Sequence, residues 1–547
     1  MQKEVLKPIF EAALNKIDKS LAVDIQFEIP NNPDHGDFST NIAMQLAKPL
    51  RNAPRKIAEQ VIEKLEYDSD VIEKVDIAGP GFINIKFSDN FYKNALVDLF
   101  NEGSKLGRSD IGEGKTVNVE YVSANPTGLL HLGHGRNAAI GDTVANLYEW
   151  TGYEVTREYY FNNAGNQMNN LAKSIYARYM QLCCNEDFPF PEDGYHGDYI
   201  KKIAKKVFNK NGISFKKGTD EDLGQLRKFG EKWCFKQIKK TLNKMNIEQD
   251  VFYNENSLYE NGKIDELISR LKKDELAYEK DGALWLALKK LGMEDDRVIV
   301  KSTGEPTYRL PDIAYHKEKF ERGFDLIVDL FGADHIATVP DVMATVKELG
   351  YDTDRVKVLI HQFVTLSENG VQVKMSKRSG KSYTLDELID EVGADVVRFF
   401  LIMRGISTHL EFDLGLAKEQ SDKNPVFYLQ YAHARISSLI DKAASEGLKI
   451  KKKADFSALH KKEEIDLIKS LLRFRDVIQI ASRKCEPQIV CDYLRELAQA
   501  FHVFYHECRI IGEEDKLAQA RLKLTHTCGQ ALKNGLTILG VTAPERM

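Results

Sequence analysis

Residues 116–148 read as a strand, a turn and a helix in immediate succession, and a chain that repeats this unit is confined to few architectures. Thr116-Val-Asn-Val-Glu-Tyr-Val122 is β-branched and apolar at alternate positions, as a pleated surface requires. Asn125-Pro126-Thr127-Gly128 is a turn signal. From about Gly133 onward, Ile140, Val144, Leu147 and Tyr148 fall on one helical face. Short apolar runs recur at Val298–Val300, Leu326–Val328 and Val358–Ile360, separated by helical patterns. This alternation over residues 109–405 predicts an α/β unit: a parallel sheet with helices on both faces, binding ligands at the carboxyl ends of its strands.

The flanking regions read differently. Residues 1–108 mix helix and strand. Pro54 to Glu66 has Ile57, Val61 and Leu65 four apart behind an initial proline, which predicts a helix. Val75–Ala78 and Phe82–Phe87, joined by Gly79-Pro80-Gly81, predict a hairpin, and Asn101–Arg108 has the composition of a linker. A charged helical insertion is expected over about 190–290 within the α/β unit. Its Lys201-Lys-Ile-Ala-Lys-Lys206 and Lys216-Lys217 fit either a solvated helix or contacts to nucleic acid. Residues 406–547 predict an all-α bundle, with helices over 425–443, 463–484, 487–510 and 515–539, the last closed by Gly540. Phe427, Tyr428 and Tyr431 in that bundle are either core residues or stacking platforms for unpaired bases.

Two tracts carry chemistry. In Leu130-His131-Leu132-Gly133-His134, two histidines stand at a helix start, where unpaired N–H groups and a partial positive charge favour phosphate. Gly133 has no Cβ, so a flat adenine ring can approach the backbone there. The second tract, Lys374-Met375-Ser376-Lys377-Arg378, continues to Lys381 and gathers four cations among small residues. Lysines meet phosphate as point charges, and such a loop suits a pyrophosphate leaving group. A helix then starts at Thr384-Leu-Asp-Glu387, which has the form of a capping box.

Together the tracts resemble the HIGH and KMSKS signatures of class I aminoacyl-tRNA synthetases. Among these the chain is most similar, along essentially its whole length, to the arginyl-tRNA synthetases. The resemblance is carried by Glu120–Gly128, by Thr307-Tyr-Arg-Leu-Pro-Asp-Ile-Ala-Tyr315, by Gly332-Ala-Asp-His335, by Pro33–Asn41 and by Ala543–Met547. It implies ligation of L-arginine to tRNA(Arg) through an arginyl-adenylate on a Rossmann-like catalytic domain. Residues 1–108 would contact tRNA, and residues 406–547 would bind the anticodon. It also implies site roles. His131, His134, Lys374 and Lys377 are the catalytic candidates. Gly133, Gly332, Asp334, His335, Met375 and Ser376 would bind ATP. Glu120, Ser123, Asn125, His134, Tyr308 and Asp312 would bind arginine, with Ser123 and Asn125 at its α-amino and carboxylate end. The pattern departs from the family at Arg378, usually Ser, and at Leu310-Pro311, usually another pair.

Physical chemistry agrees on the substrate. A guanidinium presents five donors in a fixed fork and needs carboxylates and oxygen acceptors. Glu120 and Asp312 together are unneeded by relatives with uncharged pockets. A synthetase for another amino acid, and a non-catalytic RNA-binding relative, are the two alternatives. The second predicts eroded signatures, whereas His131, His134 and Lys377 are present.

Composition sets the outer bounds. At 547 residues and 43% apolar content, roughly three or four domains with sizeable cores are expected. No apolar run reaches membrane length. Met1–Pro8 resembles neither a secretory signal nor a transit peptide, so a cytoplasmic protein is expected. Seven cysteines form no CxxC pair, so neither zinc nor disulfides are expected; magnesium should accompany ATP. The net charge of −5 means that tRNA must meet local basic patches. A monomer is expected.

Overall fold

The structure is a computed structural model and describes residues 2–547 apart from 20, 22, 31, 185, 369 and 374–382. At its centre five strands lie in the order Val356–His361, Leu326–Gly332, Thr116–Glu120, Glu154–Phe161, Val251–Asn254. All four pairings are parallel. The connections run outward in one direction from Thr116–Glu120 and then return to build the other side. The order therefore reverses between Thr116–Glu120 and Leu326–Gly332, and a crevice opens at their carboxyl ends. Buried on both faces, these strands are apolar and β-branched, with Val117, Val119, Ile327 and Val328 fully covered.

The helix Leu132–Trp150 follows the first strand as the sequence predicts. It packs very close: a Cβ at Gly141 would lie 2.3 Å from the Tyr121 side chain. The expected insertion takes a different form. Its helices are Gly165–Cys183, Asp198–Asn211 and Asp220–Lys244, packed around Leu171, Ile175, Ile203 and Leu226. The chain then supplies the edge strand Val251–Asn254 and a separate antiparallel sheet of Ala277–Lys280, Ala283–Leu286 and Arg297–Val300. Val298–Val300 thus belongs to this small sheet and not to the parallel one. An apolar run of three has no signal that separates the two settings.

The N-terminal region is a three-stranded antiparallel sheet, Phe38–Thr40, Phe82–Phe87 and Ile72–Ala78, with helices Gln2–Ile17, Pro54–Lys64 and Asp89–Glu102. The predicted hairpin and the Pro54 helix are both there. At the other end, Leu410–Asp413 pairs with Val364–Glu368, which also pairs with Val371–Val373. Residues 406–418 therefore pack with the central α/β body, and the all-helical part begins at Pro425–Ser445 rather than at 406. It continues with Lys462–Leu472, Phe474–Lys484, Gln488–Glu507 and Asp515–Ile538. The single helix expected over 463–484 is two, divided at Arg473.

One apolar core runs without a break from Phe10 and Ile85 in the N-terminal region, through Val117 and Phe399, to Leu494 and Leu532 in the bundle. Polar bridges reinforce it. Fully buried Arg398 donates to the carbonyls of Leu539 (2.6 Å) and Met245 (2.7 Å) and pairs with Asp142. Lys469 of the bundle pairs with Asp37 of the N-terminal region at 2.6 Å. Gly540 ends the last helix at φ +67°, and a Cβ there would lie 2.1 Å from the Arg398 guanidinium carbon. Among the described residues no helix is long and apolar enough to cross a membrane.

Candidate active site

The crevice at the strand ends is built from backbone upward. Directly after Glu120, Val122 and Ser123 adopt φ +69° and +42°. Left-handed backbone costs of order 1–3 kcal/mol in a residue with a side chain, and a β-branched one tolerates it least. Asn137 on the first helix offsets this cost: its side-chain oxygen accepts from the Val122 N–H at 2.6 Å and its amide donates to the Leu330 carbonyl at 2.9 Å. The two strands flanking the crevice are thereby tied together. Asn125 accepts from the Asn162 N–H and donates to Gln167, both at 2.9 Å. Tyr199 of the helical insertion donates to the Thr127 carbonyl at 2.7 Å.

The turn delivers the chain to His131, which caps the helix Leu132–Trp150. Its Nδ1 accepts from the N–H groups of Gly133 (3.1 Å) and His134 (3.4 Å). His134 Nδ1 accepts in return from the His131 N–H at 3.3 Å. The two rings stack with centroids 3.7 Å apart. Because each Nδ1 is an acceptor, the neutral rings carry their protons on Nε2. Gly133 lies tight against the cap, its missing Cβ being 3.1 Å from the His131 ring.

The second tract, with Lys374, Met375, Ser376, Lys377, Arg378 and Lys381, lies outside the described residues. Both of its flanks are described. Before it, Val371–Val373 pairs with Val364–Glu368. After it, Thr384 forms the expected capping box with Glu387. Thr384 also bridges to His131, and the Leu385 N–H donates to the Leu130 carbonyl at 2.9 Å. Chain segments 250 positions apart are thus stitched together at the histidine cap. Gly135 makes this possible, since a Cβ there would lie 2.7 Å from Leu385. Fully buried Arg136 fixes the same region from below, donating to the carbonyls of Gln362, Gly405 and Thr408 at 2.8–3.0 Å.

Across the switch point, Gly332 ends its strand and leads into Asp334 and His335, both exposed. A Cβ at Gly332 would lie 2.5 Å from the Asp334 carboxylate. His335 stacks on Phe331 at 5.1 Å. Neighbouring His361 is buried, and burial lowers its pKa.

The carboxylates gather beside the cap. Glu120 is buried; Ser123 Oγ donates to one of its oxygens (2.9 Å) and Lys319 pairs with the other (2.5 Å). Glu255, after the edge strand, accepts from Tyr160 (2.8 Å) and Asn162 (2.6 Å), and burial pushes its pKa up. Half-buried Asp312 lies on the helix Arg309–Glu321. Burial, reinforced by the charges of Glu255 and Glu120, lifts it to about 7 against the opposing pull of His316. Tyr308 stands one turn before Asp312 and is 75% exposed. Behind them, His316 Nδ1 faces the Asp312 carbonyl (2.8 Å) and Nε2 faces the Asp329 carboxylate (3.0 Å). With both ring nitrogens facing acceptors, the imidazolium is favoured, and the His316 pKa is raised despite its burial. Among the described residues no group of three His, Cys, Asp or Glu side chains could hold a metal ion.

The structure thus brings Glu120, Ser123, Asn125, His131, Gly133, His134 and Asp312 to one crevice. The sequence reading passed over Glu255, His316, Lys319, Asp329 and Asn137. Part of that set was visible: Asp312, His316 and Lys319 have the spacing of one helical face.

A doubly wound sheet whose switch point holds a histidine-capped helix, stitched to the Thr384–Leu385 helix start, defines a class, and comparison with known proteins agrees. The family profile described as tRNA synthetases class I (R), catalytic domain, matches residues 95–399. Profiles for the arginyl tRNA synthetase N terminal domain and the DALR anticodon binding domain match residues 4–87 and 429–547. The chain belongs to the class I aminoacyl-tRNA synthetases. It is 50% identical over 541 residues to the arginine–tRNA ligase of Salinibacter ruber, covering 96% of each chain. It is 48% identical over 522 residues to that of Desulfotalea psychrophila, covering 95% of this chain and 94% of that one. The arginyl-tRNA synthetase of Thermus thermophilus shares the fold over the full length of both chains, with TM-score 0.78 at 20% identity. Within its class the chain is therefore a member of the arginine–tRNA ligase family.

Proposed function

We propose that this protein ligates L-arginine to the 3′ end of tRNA(Arg) at the expense of ATP, and that the crevice described above is where it does so. The observation that carries the reading is the convergence of Glu120, Glu255 and Asp312 beside a helix N-terminus capped by two histidines. Three carboxylates suit a guanidinium, and the helix end suits a triphosphate. Asp312 and Glu120 receive the guanidinium, with Tyr308 closing over it. Ser123, Asn125 and His134 hold the α-amino and carboxylate end.

The arginine carboxylate then attacks the α-phosphorus of ATP. Pyrophosphate leaves, and an arginyl-adenylate remains. His131 and His134 donate from Nε2 to phosphate oxygens, and Lys374 and Lys377 stabilise the leaving pyrophosphate. The adenosine lies over Gly133 and along Gly332, Asp334 and His335, and Met375 and Ser376 are assigned to ATP as well. Magnesium enters as part of the ATP substrate, held by phosphate oxygens and water. In the second step a hydroxyl of the terminal ribose attacks the activated carbonyl, and AMP leaves. No protein nucleophile takes part, so catalysis consists of positioning and of charge stabilisation in the transition state.

The N-terminal region and the helical bundle hold the tRNA. Phe427 and Tyr431 stack at 6.2 Å, Tyr431 is exposed, and Arg435 lies over both Tyr431 and Tyr505. This half-exposed aromatic ladder suits unpaired bases. The lysines of Lys201–Lys206 and Lys216–Lys217 are exposed and suit the tRNA backbone. The proposal includes a monomer acting in the cytoplasm, to be checked by sedimentation of the purified chain and by cell fractionation. Aminoacylation of a tRNA(Arg) transcript, run over the twenty amino acids, tests the activity. Charging with arginine alone is expected; charging with another amino acid instead would refute it.

A further inference from the structure

Lys319 is the least expected charge in the molecule. It lies on the helix Arg309–Glu321 with no exposed surface, and its ammonium pairs with Glu120 and Asp329, each at 2.5 Å. It also lies 4.3 Å from the centroid of the Tyr315 ring. Asp329 has a second cation in His316 (3.0 Å). Among the described residues, Glu120 has Ser123 alone besides Lys319. The two carboxylates behind the pocket are thus unequally served, and among the described residues Lys319 is the one cation paired with Glu120.

We infer that Lys319 is a positioning residue for arginine recognition: it holds the Glu120 carboxylate ionised and in one orientation, so that the remaining lone pairs face the guanidinium. The inference rests on the proposed arginine pocket. A carboxylate taken out of water without a partner gains a proton instead of keeping its charge. Burial pushes Glu120 toward that state, and Lys319 opposes it. Ser123 donates to one oxygen and Lys319 to the other, so the plane of the carboxylate is fixed at both ends. The groups facing Glu120 and its partners are Lys319, His316, Asp312 and Tyr315 on the helix Arg309–Glu321, Arg322 just after it, Asp329 on its strand, Glu158 and Tyr160 on the strand Glu154–Phe161, Ser123 after the first strand, and Glu255 beyond Tyr160. Lys319 touches no place where ATP is proposed to lie, which separates its effect from a general loss of activity.

The test compares Lys319→Met, Lys319→Gln and Lys319→Arg with Glu120→Gln and with the double variant Lys319→Met/Glu120→Gln. The readout is kcat/KM for arginine and for ATP in tRNA charging, between pH 6 and 9. Lys319→Met should lower kcat/KM for arginine by roughly 10- to 100-fold at neutral pH. Its acid limb should move to higher pH, because Glu120, and with it Asp312, then holds its proton longer. The KM for ATP should hold. Lys319→Arg should restore the wild-type pH profile. In the Glu120→Gln background, removing Lys319 should cost little more, since its effect runs through Glu120. Lys319→Gln keeps a donor for one carboxylate, and it gives the same reading if Lys319→Met does not fold. Equal losses for arginine and ATP with an unmoved pH profile would mean a purely structural lysine and would overturn the inference. If Glu120→Gln alone leaves arginine use unchanged, the pocket itself is misassigned and the inference falls with it. If Glu120→Gln impairs arginine use while the two losses simply add, only the inference fails.

Discussion

At the residue scale, Asp312 is a charge kept waiting. No hydrogen bond or ion pair to its carboxylate is found among the described residues, and its pKa of about 7 reflects burial beside Glu255 and Glu120. The raised value means that the folded chain binds a proton the unfolded chain would have released, so this group lowers stability as pH rises from about 4 to about 7. In the proposed pocket, arginine would select the ionised form. Its affinity should therefore climb as pH rises through about 7 and level off above, weakening on the order of tenfold by pH 6. Calorimetry at pH 6 in buffers of different ionisation enthalpy should detect protons released on binding. Asp312→Asn should abolish both effects; a pH-independent affinity in the wild type would show that Asp312 does not meet the guanidinium. Asp312→Ala should raise the KM for arginine by the equivalent of about 1.5–3 kcal/mol, the worth of a charge-assisted hydrogen bond, with little change for ATP. Lys377→Ala should slow adenylate formation by roughly 10²–10³-fold and leave transfer from preformed adenylate nearly intact. Single-turnover rates of the two half-reactions separate these steps.

At the element scale, the helix Leu132–Trp150 joins the histidine tract and the Thr384–Leu385 helix start to the sheet, and its glycines set how closely it packs. Gly141→Ala would drive a methyl group into Tyr121. Overpacking of this kind costs about 1–3 kcal/mol, which a denaturation midpoint would register. The loss should appear in arginine use as well, because Tyr121 leads directly into Val122 and Ser123. Elements of this kind were legible where a period was long and a cap explicit: the Pro54 helix, the first strand–turn–helix and the Thr384 cap. Val298–Val300 was not, because three apolar residues look alike in any sheet. The pocket was half legible. Glu120 and Asp312 stand in quotable motifs. Glu255 reaches the site only because its strand ends beside it, and Asp329 because its strand sets it in register with Glu120; sequence spacing carries no trace of either. The strained turn at Val122–Ser123 was also invisible, since valine there argues for continued strand.

At the scale of the whole molecule, the N-terminal region, the sheet and the bundle share one core. A sequence divided into three composition zones suggests that a chain ending near Gly405 keeps its sheet domain folded. The structure points the other way: such a fragment removes the helices Pro425–Ser445 and Gln488–Glu507 that pack on the helix Ala394–Ile402, and leaves Arg398 without the Leu539 carbonyl. It should fail to give a cooperative thermal transition, whereas the full chain should unfold as one main unit. Binding of tRNA to the full chain should weaken steeply with salt as phosphate contacts release counterions; an affinity unchanged between 50 and 200 mM salt, about the range over which such contacts are felt, would remove the basic faces from the account.

The contact between Gly540 and Arg398 also limits how such a protein can be recombined. An anticodon-binding bundle grafted from a relative would have to bring a residue without a side chain to the end of its last helix. The recipient would have to keep Arg398, the Asp142 carboxylate and the turn that presents the Met245 carbonyl. The bundle is therefore exchangeable only together with the parts of the catalytic body that it locks, and chimaeras cut at the apparent domain border near 405 should fail where chimaeras preserving that four-way junction succeed.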